Sequence, residues 1–298
     1  MLCPIIYTIL NGCAQNIETN ITVAPEHFKI EIPYEVDKVG ILLSTFWGSD
    51  KIKHKLYFDN NSPTWANDHV IQYNKSVSKS KNLSYKSTAA DGTFIKGEVY
   101  TCDSISIGQV TFGNFNFYKI SNEPYAEKYA MGEGALGENL LSKGVWKIDF
   151  KNKVITFASS MDSIGEMQNV QVLPCKFNDK SIEIEVEFPN KGTKVFQLDL
   201  GFNGVMIMPL EEFRSIENGN KAVDTESLRF STPSSFEDVA NMTVLDSIKI
   251  SRNYYLERLS TNKLVKERLI GRYFFEHFEF LILDYINRSV YISKNTFY

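Results

Sequence analysis

The second half of this chain repeats the order of events of its first half. Residues 135–157 read ALGENLLSKGVWKIDFKNKVITF, and residues 269–292 read LIGRYFFEHFEFLILDYINRSVYI. Both runs begin with two apolar residues and a glycine and pass through a short amphipathic segment into an aromatic-rich strand. Both then place an aspartate before an aromatic, turn on basic residues and close with a final strand. Asp149-Phe150 and Asp284-Tyr285 hold matching places. Upstream, two further apolar strands each end on a carboxylate, Asp59 and Asp199, which lie 78 and 72 residues before Gly137 and Gly271 (137−59 and 271−199). Such a pattern predicts two copies of one β unit related by a pseudo-two-fold axis. The expected boundaries are a tail or signal remnant over 1–20, a first unit over 21–160, a connector over 161–170 and a second unit over 171–298.

The local pattern is that of strands. Ile52, His54, Leu56 and Phe58 alternate with Lys51, Lys53, Lys55 and Tyr57, the period of a half-buried strand. Glycines 92, 97, 108 and 113 interrupt a long run of period-two alternation and predict hairpin turns or bulges. Short helices are expected near 137–142 and after Pro209, mixed helical signal over 262–278, and a polar loop over 217–238. Plentiful tyrosine (15) and phenylalanine (21) also favour strands.

Composition narrows the partners. The formal charge of −4, with no basic block, argues against nucleic acid. Cys3, Cys13, Cys102 and Cys175 form no CxxC pair, and His27, His54, His69 and His277 are scattered, so no metal site is expected. Leu10-Asn11-Gly12-Cys13 ends a short apolar run and is similar to the clipped end of a bacterial lipoprotein signal, although a positive leading region is missing. It predicts an exported bacterial protein, periplasmic or lipid-anchored through Cys13. No run reaches the roughly 18 apolar residues of a spanning helix.

One aspartate before Asn or Gly is an ordinary turn former. Two, at matching places of a repeat, predict a shared inward position where Asp59 faces Asp199. Like charges about 3 Å apart do not both ionise readily, so such a pair shares a proton and can hold a water between its carboxylates.

Read in this order, Asp59-Asn60-Asn61, Ala135-Leu136-Gly137, Asp199-Leu200-Gly201 and Leu269-Ile270-Gly271, with the two closing hairpins, resemble the bacterial retropepsin-like and pepsin-like aspartic proteases in their two-lobed, single-chain form. The resemblance covers roughly residues 28–295. It implies a mostly β fold of two barrel-like lobes, a monomer that takes a peptide or protein in the cleft, and catalysis by Asp59 and Asp199 without metal or organic cofactor. It also implies supporting loops at Asn60, Asn61, Leu200, Gly201, Gly137 and Gly271, and a flap hairpin over 87–100 with Phe94 near its tip.

The sequence departs from the family where a Thr or Ser hydroxyl braces each loop: those positions are Asn60 and Leu200, and Leu200 has nothing to donate. Asn61 stands where the family has glycine, while Gly201 keeps it. A second reading is therefore an inactive homologue binding an extended peptide or cell-surface partner. A third is a structural β-sandwich of the cell envelope with the two aspartates on separate surfaces. A hydrolase using His69 as base, beside Asp68 and Trp65, lacks any accompanying nucleophile motif.

Overall fold

The computed structural model describes residues 10–11, 20–37, 39–49, 51–89, 94–120, 133–165, 169–178, 181–188, 191–217, 230–231, 236–237, 241–250, 253–261 and 265–294. Cys13, most of the tail and most of the polar stretch 217–238 lie outside them, as does the side chain of Phe94; within that stretch, expected to be a loop, Phe230–Ser231 pairs antiparallel with Phe236–Glu237.

The first half carries β1 (Lys29–Pro33), β2 (Ile41–Trp47), β3 (Ile52–Phe58), β4 (Trp65–Ala66) and β5 (Val77–Ala89). It continues with β6 (Phe94–Ile107), β7 (Val110–Lys119), β8 (Gly134–Leu136), β9 (Val145–Asp149) and β10 (Val154–Ala158). The second half carries β11 (Val170–Leu173), β12 (Ile182–Phe188), β13 (Gly192–Asp199), β14 (Met206–Ile207) and β15 (Asn241–Ile250). It ends with β16 (Asn253–Thr261), β17 (Leu269–Gly271), β18 (Phe280–Asp284) and β19 (Ser289–Ser293).

The pairings close two six-stranded barrels. In the first the order is β2-β3-β8-β4-β7-β6 and back to β2. In the second it is β12-β13-β17-β14-β16-β15 and back to β12. Step for step, the two rings share the same sequence of antiparallel and parallel neighbours. Alternation builds each wall: Ile182, Ile184, Val186 and Phe188 of β12 are buried while Glu183, Glu185 and Glu187 turn outward. Closure leaves neither ring with a free edge.

A third sheet joins the halves in the order β11-β19-β18-β9-β10-β1. Its centre is the antiparallel pair β9–β18, where Val145 meets Asp284 and Asp149 meets Phe280. The repeat is visible here at single residues. Asp149 accepts from the backbone and side-chain nitrogens of Asn152, and Asp284 does the same with Asn287. Lys153 and Arg288 then take the same left-handed backbone, φ 54° and 52°. Buried side chains form one continuous core through both halves, with Trp146 stacked on Phe157 at 3.8 Å.

Some sequence expectations need correction. Gly108 turns a hairpin at φ +57°, but Gly97 and Gly113 lie within strands. At Gly113 a Cβ would stand 2.6 Å from Thr22 Oγ1 of the paired segment but 3.7 Å from the nearest backbone atom, Asp103 O. The connector contains a helical turn, Met161–Ile164, capped by Ser160. Among the described residues, the mixed helical signal over 262–278 yields only Arg272–Phe275, because β17 takes the three residues before it for the barrel. The helices at Glu138–Leu141 and Leu210–Glu217 lie where expected. No helix among the described residues is long and apolar enough to cross a membrane.

Gly137 and Gly271 adopt nearly identical extended backbones, φ −105° and −106°. What each needs is space. A Cβ on Gly137 would lie 2.1 Å from the Pro63 carbonyl carbon, and one on Gly271 would lie 2.4 Å from Gly204 O. Gly137→Ala is expected to destabilise the fold by about 3 kcal/mol, since backbone has to move. Gly40→Ala, whose Cβ meets only Tyr57 Cδ1 at 3.5 Å, is expected to change it by less than about 0.5 kcal/mol. Urea denaturation of both variants checks the contrast.

Candidate functional site

Asp59 and Asp199 each follow the last inward residue of a barrel strand, Phe58 of β3 and Leu198 of β13. In each half the glycine-bearing strand runs parallel beside that end: β8 pairs Leu136 with Phe58, and β17 pairs Gly271 with Asp199. The loop after each aspartate is then pinned at the same atom. Glu138 N donates to Ser62 O at 2.8 Å, and Arg272 N donates to Phe202 O at 2.9 Å. The carboxyls are thus held on rigid strand ends rather than on free loops.

The two loops reach into one another. Asn60 Nδ2 donates to Leu198 O at 2.8 Å, and Leu200 N donates to Asn60 Oδ1 at 2.8 Å. A carboxamide carries one donor face and one acceptor, so it pairs with the opposite backbone as a peptide group would. The expected loss of a bracing hydroxyl at position 60 is therefore made good by a different side chain. At the matching position Leu200 is fully buried in the apolar core and makes no return bridge. The brace is one-sided.

Gly201 passes so close to the first loop that a Cβ would stand 2.6 Å from Asp59 Cγ. Asn61, the counterpart of Gly201, carries the side chain that Gly201 lacks. Its Nδ2 lies 3.4 Å from Asp199 Oδ2 and 3.2 Å from Gln197 Oε1. Asp59 Oδ1 accepts from Asn61 N at 3.0 Å, and Asp199 Oδ1 accepts from Phe202 N at 3.0 Å. Asp59 is 6% exposed and Asp199 1%, at one site. The arrangement with aspartates on separate solvent surfaces is thereby overturned.

Burial pushes the Asp59 carboxyl up to about 6, against the opposing pull of hydrogen bonds from Asn61 and Ser62. Burial, followed by the neighbouring Asp59 charge, pushes Asp199 well above the ordinary carboxylate range. Two close carboxyls that resist losing both protons can hold one between them and pass it to a bound molecule.

Beside Asp59 lies a small apolar cleft lined by Val39, Tyr57, Trp65, Ala135 and Gly201. Tyr57 is fixed there by its hydroxyl, which donates to Asp37 Oδ2 at 2.7 Å. Phe94 opens β6 opposite Thr88, across the hairpin from β5, with residues 90–93 between outside the described set. His69 pairs with Glu133 at 3.4 Å and Asp68 with Lys119 at 2.5 Å, so each is engaged away from the carboxyl pair. Sequence reasoning missed Gln197 and the Tyr57–Trp65 cleft wall. Gln197 was findable: it stands two residues before Asp199 and so faces the same side of β13.

No family model matches the chain. It is similar to an uncharacterized protein of Archaeoglobus fulgidus, 27% identical over 113 residues, which span 37% of this chain and 85% of the archaeal protein.

The raised carboxyl has a stability consequence whose sign is fixed. A group that titrates near 3.8 unfolded and about 6 folded holds its proton longer in the native state. Stability is then full below about pH 4 and falls as pH rises towards 6, by about 3 kcal/mol. Asp59→Asn is therefore expected to be more stable than the unaltered protein at about pH 7 by roughly 2–3 kcal/mol, and to lose that advantage by about pH 4. Urea denaturation at the two pH values measures it.

Proposed function

We propose that this chain is a two-lobed protein of aspartic-peptidase type, with lobes over 21–160 and 171–298 and a peptide-binding cleft between them. The observation that carries the reading is the pair Asp59 and Asp199, buried together at equivalent strand ends of two equivalent barrels and tied loop to loop by Asn60. The similar archaeal protein adds support: 113 residues make up 85% of it, so it is shorter than half of this chain, the length expected of one lobe.

In this reading a water lies between the two carboxyls. The ionised member takes a proton from it, and the protonated member gives its proton to the carbonyl oxygen of the peptide as the water attacks. An extended peptide would be held mainly through its main chain. The apolar cleft beside Asp59 would take an apolar side chain next to the bond that breaks.

A second reading, a cleft that binds a peptide without cutting it, is favoured by Asn61 and Leu200. The Asn61 carboxamide reaches the Asp199 carboxylate from the side on which Gly201 leaves Asp59 clear, and Leu200 leaves the loops braced once rather than twice.

A peptide library incubated from about pH 3 to about pH 7 separates the two. Cleavage is expected to rise as pH approaches about 6, where Asp59 gives up its proton while Asp199, raised further by the Asp59 charge, keeps the shared one. It should disappear when Asp59→Asn and Asp199→Asn are combined. A well-folded, unaltered protein that cuts nothing across this range, yet retains peptides, would move the assignment to the binding reading.

A further inference from the structure

The matching loop of the second half has no side chain where Asn61 stands, and what Asn61 touches extends beyond the carboxyl pair. Its Nδ2 carries two hydrogens. One is directed at Asp199 Oδ2, 3.4 Å away, and the other at Gln197 Oε1, 3.2 Å away. Gln197 is fixed in β13 by its backbone, whose N–H donates to Arg268 O at 2.8 Å. The far end of its side chain, Nε2, donates to Glu267 Oε2 at 3.3 Å. An unbroken line of hydrogen bonds therefore runs from Glu267, partly exposed before β17, to Asp199 at the centre of the molecule.

The line has a direction. An ionised carboxylate only accepts, whereas a carboxamide has one accepting and one donating end. Ionised Glu267 thus turns the Gln197 NH2 towards itself and the Gln197 carbonyl towards Asn61. Asn61 must then present its NH2, and the second hydrogen of that group falls on Asp199. A protonated Glu267 keeps an acceptor but gains a donor, so it no longer holds the two amides to this one order.

The surroundings leave Glu267 able to act this way. Arg268, next in the chain, gives its guanidinium to Glu212 at 2.7 and 2.8 Å, and Glu212 is met again by Lys194 at 3.1 Å. Lys266 is exposed. Burial raises the Glu267 carboxyl above its ordinary range, with Arg268 pulling the other way.

We propose that Asn61, Gln197 and Glu267 form a hydrogen-bonded relay that positions Asp199 and couples the charge on Glu267 to the Asp59–Asp199 pair. Asn61 and Gln197 are positioning residues, and Glu267 sets their orientation. The proposal rests on the reading of Asp59 and Asp199 as a working pair. It is nevertheless measured on the carboxyls themselves, without a peptide, so absence of cleavage and absence of the relay are separate results.

The test is the titration of Asp199 by carbon-13 carboxyl NMR of aspartate-labelled protein, with its signal assigned by Asp199→Asn. Glu267→Gln is expected to move the Asp199 midpoint by about 0.5 pH units, less than a direct ion pair because the last bond is long. The movement should vanish when the relay is cut by Gln197→Leu. Asn61→Gly, which installs the residue of the matching loop, cuts it at the next link and serves if Gln197→Leu does not fold. The proposal is overturned if Glu267→Gln leaves Asp199 unmoved, or if the same movement persists in a cut background, since the charge would then act through space.

Discussion

One buried carboxamide holds the two aspartate-bearing loops of this molecule together. Asn60 meets both the carbonyl of Leu198 and the amide of Leu200, so the strand end that carries Asp59 is bonded to the one that carries Asp199. Without it, two backbone groups in a dry interior would lose their partners, at about 1–3 kcal/mol each. The loops would also lose the contact that brings two carboxyls of like charge to one place. The glycines at 137, 201 and 271 serve the same end by a different route, since each lets a backbone pass where a methyl group has no room. Geometry on the scale of 1 Å decides whether such a pair does chemistry.

That arrangement has a cost, and its form is electrostatic. Burial drives both carboxyls up, and the second is raised further by the charge of the first. A protein selected only for stability would place other residues there. Keeping two buried aspartates in a duplicated frame is the pattern of a site whose strain serves a function. The barrels around it make the strain tolerable, because each aspartate-bearing strand has a parallel neighbour on one side and an antiparallel neighbour on the other.

Much of this was legible in the sequence, and the reason is the repeat. Period-two alternation at Ile52–Phe58 revealed a strand, and the two Asp-aromatic turns revealed the duplication that the Asn152 and Asn287 contacts then display atom by atom. That Asp59 and Asp199 would be buried near one another was to be expected from the symmetry alone. What stayed hidden depended on contacts between residues far apart in the chain. Asn60 read as a lost hydroxyl because its partners lie 138 and 140 residues away. Gln197 and Glu267, 70 residues apart, form a line to Asp199 that no local pattern announces. Gly97 and Gly113 read as turns or bulges because a glycine inside a strand looks the same in sequence as one at a bend.

The most direct test of the account is a high-resolution crystal structure, in which the separation of the inner carboxyl oxygens of Asp59 and Asp199 is measured. The account predicts about 3 Å, with one water within hydrogen-bonding reach of both carboxyls and the Asn60 bridge intact. A separation beyond about 6 Å, or the Asn61 carboxamide filling the position of that water, would contradict it, because a proton could no longer be shared across the pair.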